Sequence, residues 1–147
     1  AKEMKSAVAK AVAGADALIM AAAVADYQPK KEAKSKIKKD SPTLTLELVR
    51  TPDILSEVKG NFIRVGFAAE SDDIIANAKK KLTKKDLDLI VANDITSTDS
   101  GFEVDTNKVT LIDRSGKIEN LPLLTKREVA EKILDRVIAL LAKKAGK

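Results

Sequence analysis

Residues 63–94 read IRVGFAAESDDIIANAKKKLTKKDLDLIVAND, and the alternation inside this stretch decides the fold. Ile63 to Ala68 is a short apolar run of strand length. Ser71, Asp72 and Asp73 then combine a cap with carboxylates suited to the positive end of a helix. That helix runs to about Leu82 and closes on Lys79, Lys80 and Lys81, whose charge suits its negative end. Leu87 to Ala92 is a second apolar run, with Asn93-Asp94 directly after it. Apolar strands joined by a helix are the unit of a parallel sheet covered on both faces.

The same grammar extends outward. Met4, Val8, Ala11 and Val12 recur at helical spacing, and Gly14 is a stop. Ala17 to about Ala23 reads as a buried strand, which places Asp26 just past its carboxyl end. Tyr27 to Ser41 holds Pro29 and six lysines with no sustained period, so about 28–41 is expected to form a mobile basic flap. Leu44, Leu46 and Leu48 alternate with Thr43, Thr45 and Glu47, as in a half-exposed strand, and Thr51 is positioned to cap a helix with Pro52 at its first position. Further on, Val109 to Ile112 and Ile118 to Leu121 flank Asp113-Arg114-Ser115-Gly116-Lys117, a hairpin signature. Thr125 and Glu128 form a capping box for a last helix whose apolar residues are Val129, Ile133, Val137 and Leu141 beside Ala130, Leu134 and Ile138. The expected architecture is a single α/β domain over 1–147, with a mainly parallel sheet, helices on both faces, a C-terminal antiparallel hairpin and a final helix. Ligands of such sheets lie at the carboxyl ends of the strands.

Composition narrows the chemistry. The 147 residues contain no Cys and no His, which excludes thiol catalysis, an imidazole base and thiolate or imidazole zinc sites. Lys, Asp, Glu, Asn, hydroxyls and the backbone must do the work. Twenty-seven Lys and Arg against 22 Asp and Glu give a formal charge of +5, which suits a phosphate-bearing partner. Three Phe, one Tyr and no Trp leave few rings for base stacking. Nucleic acid is therefore a weak alternative. The apolar run 17–25 is too short to cross a bilayer, so no membrane role is expected and a cytoplasmic location is the default. The glycines stand at 14, 60, 66, 101, 116 and 146, so neither common spacing of a glycine-rich phosphate loop is present.

Five blocks, in order, carry a resemblance. They are Ala21-Ala22-Ala23-Val24-Ala25-Asp26-Tyr27, Lys36-Ile37-Lys38-Lys39, Thr51-Pro52-Asp53-Ile54-Leu55, Gly66-Phe67-Ala68-Ala69-Glu70 and Asp88-Leu89-Ile90-Val91-Ala92-Asn93-Asp94. Gly101-Phe102, Asp105 and Asn107 extend the match. The ordered set resembles the C-terminal part of phosphopantothenate–cysteine ligases, the CTP-dependent synthetases of coenzyme A assembly. The resemblance implies a Rossmann-like fold and, in bacteria, a bifunctional parent whose other half is a decarboxylase that uses FMN. The family's glycine-rich opening segment has no match here, and the expectation is a fragment inactive alone.

The resemblance also implies a reaction. CTP activates the carboxylate of 4′-phosphopantothenate as an acyl-cytidylate with release of pyrophosphate, and the amine of cysteine then attacks the acyl carbon. Mg2+ accompanies the triphosphate, and the sequence leaves its ligands unassigned. Carried over by position, Met20, Ala21 and Ala22 would line the nucleotide pocket by their backbone, Ala23 would meet the acyl substrate, and Asp26 would contact the ribose. Lys36 would be the catalytic flap lysine on the phosphates. Pro52, Asp53, Ile54 and Leu55 would meet the nucleotide at a helix start, Phe67 would pack in the pocket, and Lys81 and Lys85 would add cations. Each has a plainer role as well: Asp26 can close a turn, Phe67 can be core, and the lysines can be a solvated face or a helix end. Asn93-Asp94 is read as turn chemistry. The resemblance further implies a homodimer, and the terminal hairpin offers a sheet edge for one. A noncatalytic nucleotide-binding or dimerisation module is the rival reading.

Overall fold

A computed structural model describes residues 1–33, 35–38, 42–94 and 105–146. In chain order the elements are α1 (Lys2–Ala11), β1 (Ala17–Met20), β2 (Tyr27–Pro29), β3 (Leu48–Arg50), α2 (Ile54–Glu57), β4 (Ile63–Glu70), α3 (Ile74–Lys84), β5 (Leu89–Asp94), β6 (Thr106–Asn107), β7 (Val109–Asp113), β8 (Ile118–Asn120), β9 (Leu124–Thr125) and α4 (Lys126–Ala145). The main sheet has the order β1-β4-β5-β7-β8. β1, β4 and β5 run parallel, with Val65 opposite Leu89 and Glu70 opposite Asp94, and β7 and β8 complete the sheet antiparallel. β2 pairs with β3, and β6 with β9, in two small antiparallel ribbons.

Side-chain alternation along β4 and β5 divides the interior in two. Ile63, Val65, Leu89 and Val91 join Val129, Ile133 and Val137 of α4 on one face. Ala68, Ile90 and Ala92 join Ile54, Leu55, Ala78 and Leu82 on the other, beneath α2 and α3. Gly66 permits that second layer to close: a Cβ there would stand 2.8 Å from Leu87 Cδ1 and 2.9 Å from Leu55 Cδ2. Helices therefore cover both faces, as expected from the apolar runs.

α4 is seated by a capping box and an ion pair. Thr125 Oγ1 accepts from the Glu128 amide at 3.2 Å, and the Glu128 carboxylate accepts from the Thr125 amide at 2.8 Å. Near its middle, Arg136 donates to Asp113 Oδ2 at 2.6 Å. Asp113 Oδ1 meanwhile accepts from Ser115 N, Ser115 Oγ and Lys117 N, so one buried carboxylate fixes both the β7–β8 turn and the helix above it. Gly116 sits in that turn at φ 87°, where a side chain would be strained.

Several boundaries differ from the sequence reading, each for a physical reason. β1 stops at Met20, and Ala21 to Ala23 are exposed, because β1 pairs only with β4 among the described residues. The predicted strand over 43–49 is ordered as a ladder only at Leu48–Arg50, against a strand at 27–29 that was read as flap. Its apolar row stays uncovered: Leu44, Leu46 and Leu48 are all exposed. The helix after Pro52 is capped by Asp53, whose side chain accepts from Ser56 N, while Thr51 Oγ1 instead donates to the Ala25 carbonyl. Asn93-Asp94 ends β5 rather than following it. On α4 only one apolar row is buried, and Leu134 and Ile138 face outward. Lys39, Asp40, Ser41, Gly101 and Phe102 lie outside the described residues.

Candidate functional site

Along β4 the sheet presents different chemistry on its two faces. On the α2–α3 face, Lys81 and Lys85 are one turn apart on or just after α3, so their side chains share a side of the helix. Each is held by a carboxylate. Lys81 Nζ lies 2.6 Å from Glu70 Oε1, and Lys85 Nζ lies 3.0 Å from Asp53 Oδ2. Asp53 is also the α2 cap, and its own amide donates to Glu57 Oε1 at 2.9 Å. Burial alone would raise the Asp53 pKa, but hydrogen bonds from Lys85 and Ser56 and the Lys85 charge outweigh it and leave the carboxyl below its ordinary value. The group stays ionised at neutral pH and holds Lys85 at the start of α2.

Glu70 is the residue here that position-by-position reasoning left without a role. It is 9% exposed at the last position of β4, and its Oε1 makes no hydrogen bond of good geometry although Lys81 is at ion-pair distance. A buried carboxylate with one cation is a costly arrangement in isolation and one that a further cation or donor would improve. Its sequence signal was present in the quoted Gly66-to-Glu70 block.

The other predicted residues fall around this centre. Met20 is buried in the core beneath α2 and α3, so its side chain packs while its backbone ends β1. Ala21, Ala22, Ala23 and Asp26 are exposed on the segment after β1, with the Asp26 carbonyl accepting from Thr51 N at 2.9 Å. That bond brings the segment to the entrance of α2. Pro52 is half-buried there, whereas Ile54 and Leu55 are core residues at 2% and 7% exposure, which leaves the α2 backbone and not their side chains to meet a ligand. Lys36 is exposed between β2 and β3 and has no ion-pair partner among the described residues. The structure thus joins Asp53 with Lys85 and Glu70 with Lys81, and leaves Lys36 apart.

Phe67 belongs to the opposite face. Its ring packs against the α4 cluster, where it lines a cavity of about 300 Å3 together with Ala21, Asn93, Asn107, Val129 and Ile133. Asn107 Nδ2 donates to Asn93 Oδ1 at 3.1 Å across β5 and β6. Asn93 therefore does more than terminate a strand.

No group of three His, Cys, Asp or Glu side chains able to cage a metal occurs among the described residues. Magnesium is satisfied by phosphate oxygens, water and one or two carboxylates. Asp53, the cap of α2, and Glu70, at the end of β4, are carboxylates of that donor type, each here paired with a lysine.

Comparison with known proteins identifies the family. Residues 1–141 match the family model "DNA/pantothenate metabolism flavoprotein C-terminal domain", and the chain belongs to that family. It is 46% identical over 143 residues to the coenzyme A biosynthesis bifunctional protein CoaBC of Bacillus subtilis (strain 168), covering 95% of this chain and 35% of that protein. The chain thus spans about a third of the length of that relative. It superimposes on the solved C-terminal domain of a CoaBC protein with TM-score 0.76 and 37% identity, covering 97% of this chain and 63% of that one. A Cab2 H337A mutant solved with phosphopantothenate-cysteine shares the fold at TM-score 0.63 and 20% identity, over 86% of this chain and 44% of that one.

Proposed function

We propose that this chain forms the CTP-handling part of a phosphopantothenate–cysteine ligase in coenzyme A biosynthesis. The observation that carries the reading is the pair of lysines one turn apart along α3, each oriented by a carboxylate, Lys81 by Glu70 at the carboxyl end of β4 and Lys85 by Asp53 at the start of α2. In the reaction, an oxygen of the phosphopantothenate carboxylate attacks the α-phosphorus of CTP, the bond to the bridging oxygen breaks, and pyrophosphate leaves. The amine of cysteine then attacks the acyl carbon of the acyl-cytidylate, CMP departs, and the amine loses a proton. Negative charge moves onto the leaving pyrophosphate in the first step, so fixed cations at that position stabilise the transition state.

In this reading Lys81 and Lys85 hold the phosphates, and Glu70 and Asp53 keep the ammonium groups in place before the nucleotide arrives. Lys36 approaches from the segment between β2 and β3, Asp26 takes the ribose, the backbone of Met20, Ala21 and Ala22 and the ring of Phe67 line the nucleotide pocket, and Ala23 faces the acyl substrate. Magnesium, when bound, neutralises phosphate charge and polarises the bond that breaks. The protein works in the cytoplasm as a homodimer, with β8, one outer strand of the main sheet, as a candidate edge.

Calorimetric titration tests the nucleotide role. CTP in magnesium binds more tightly than ATP, and Lys36→Ala weakens CTP far more than cytidine because its contact is to phosphate. Equal losses for CTP and cytidine sink the role of Lys36, and absence of CTP binding sinks the reading.

A further inference from the structure

The amino end of the parallel strands carries a charged network that none of the ligand contacts above uses. Arg64, the second residue of β4, is 8% exposed, with its guanidinium 5.1 Å from the centre of the Phe62 ring. Its Nη2 donates to the carbonyls of Val58 at 3.3 Å and Gly60 at 3.5 Å, and its Nη1 donates to Asp86 Oδ2 at 3.3 Å. Asp86 Oδ1 accepts from Arg114 Nη2 at 2.8 Å, and Arg114 Nε donates to the Leu87 carbonyl at 3.2 Å. Two arginines, one from β4 and one from the β7–β8 turn, thus hold a single carboxylate between α3 and β5. Stability alone does not account for the arrangement. The Asp86 side chain is 65% exposed, and ion pairs so exposed contribute little to folding. Its backbone is also left-handed, at φ 53°, a conformation easier for glycine than for aspartate.

The place of the network in the fold gives it a purpose. Asp86 directly follows Lys85, the residue that closes α3. Val58, the other partner of Arg64, closes α2, and Asp53 opens that same single turn. Arg64 therefore bonds to the far end of α2 and to the neighbour of Lys85, the two elements that the Lys85–Asp53 ion pair joins at 3.0 Å. We propose that Arg64 and Asp86 are positioning residues that set Lys85 for the nucleotide phosphates without touching the nucleotide themselves. The inference rests on the ligase reading above and deepens it by naming what fixes one of its two cations. Arg64 holds α2 and the α3–β5 turn at one separation, and Arg114 braces the turn from the other side. Charge gives the role a distinctive sign. Removing a carboxylate beside a phosphate site strengthens anion binding if charge alone acts, whereas removing a positioning carboxylate weakens it.

Asp86→Gly tests the role, because glycine accepts the left-handed backbone and the change removes only the carboxylate. Calorimetry with CTP and with cytidine in magnesium is the readout, and circular dichroism checks folding. Asp86→Gly is expected to weaken CTP by about fivefold or more and cytidine by less than about twofold, with Asp86→Asn, which keeps one acceptor for the arginines, in between. Arg64→Lys, which replaces the planar fork by a point charge, is expected to give the same split. In a Lys85→Ala background, Asp86→Gly is expected to alter CTP by less than about twofold, since its effect passes through Lys85. Burial raises the Asp53 carboxyl, and Lys85 and Ser56 hold it below its ordinary value, so its carbon-13 titration should move upward in Asp86→Gly. CTP binding unchanged or tighter in Asp86→Gly, equal losses for CTP and cytidine, or an equal loss with and without Lys85 overturns the positioning role and leaves the ligase reading standing. If the parent chain binds no CTP, the ligase reading falls and the Asp53 titration decides alone: an upward shift keeps Arg64 and Asp86 as the support of Lys85, and an unmoved one overturns that as well.

Discussion

The two faces of the sheet at the end of β4 solve opposite problems. On the α2–α3 face, charge is the working element: two lysines each sit against a carboxylate. On the α4 face a neutral amide pair lies beside Phe67, Val129 and Ile133, with Lys126 on the same cavity wall. The difference originates in strand alternation, because Phe67 and Glu70 lie three positions apart on β4 and project to opposite sides. A single strand thereby carries a charged face and a neutral one a few residues apart.

The strongest way to break the comparison is to unseat α4. Asp113→Ala removes a carboxylate that is 4% exposed and leaves the Arg136 guanidinium, which has a side chain 16% exposed, without that partner. Breaking a buried pair costs about 3–5 kcal/mol. Chemical denaturation should show a loss of that order, and the amide signals of the α4-face cavity should broaden before those of α3. A loss below about 1 kcal/mol would mean that the helix is seated by its apolar row alone.

A second test acts on the charged face only. Lys81→Ala with Lys85→Ala removes both oriented cations, and hydrogen bonds to charged groups are each worth about 1.5–3 kcal/mol. CTP should weaken by about thirtyfold or more in titration. Glu70→Gln keeps the shape but releases Lys81, and it should weaken CTP by less than the double variant in the same titration. CTP affinity unchanged in Glu70→Gln would mean that Glu70 does not set the position of Lys81.

A third, smaller effect follows from pH. Burial would raise the Asp113 pKa, yet the hydrogen bonds from Ser115 and Lys117 and the Arg136 charge outweigh it and hold the carboxyl below its ordinary value. A group with a depressed folded pKa contributes stability that is present above the unfolded value and lost as pH falls through the folded one. Denaturation midpoints should therefore be level from pH 7 down to about pH 4 and decline below it, and Asp113→Asn should flatten that decline. An unchanged decline in the variant would assign the acid loss to other carboxylates. The smallest effect belongs to the α4 cap, where Thr125→Ala should cost about 1 kcal/mol in the same measurement.

Much of this was legible before the fold was known. The alternation from Ile63 to Asp94 gave the parallel strands and α3, and Thr125 with Glu128 gave the start of α4, because both signals are local. The misread parts depend on neighbours that sequence does not reveal. The apolar row Leu44, Leu46 and Leu48 has a strand pattern, yet only its end finds a partner, in β2. The run after Met20 looks buried by composition but leaves the sheet and is exposed. In the site, position-by-position matching selected Lys85 and Asp53, which the fold joins in an ion pair, and Lys81, whose partner is Glu70. It passed over Glu70 and read Asn93 as a turn residue, because their importance lies in contacts with Lys81 and Asn107 at sequence separations of 11 and 14 residues.

The most direct measurement is the CTP dissociation constant by calorimetry in magnesium for the parent chain, the Lys81→Ala/Lys85→Ala double variant and Thr125→Ala, a change at the α4 cap. The account predicts binding in the parent, a loss of about thirtyfold or more in the double variant, and a change within about twofold in Thr125→Ala. No CTP binding in the parent, or a greater loss in Thr125→Ala than in the double variant, would contradict it.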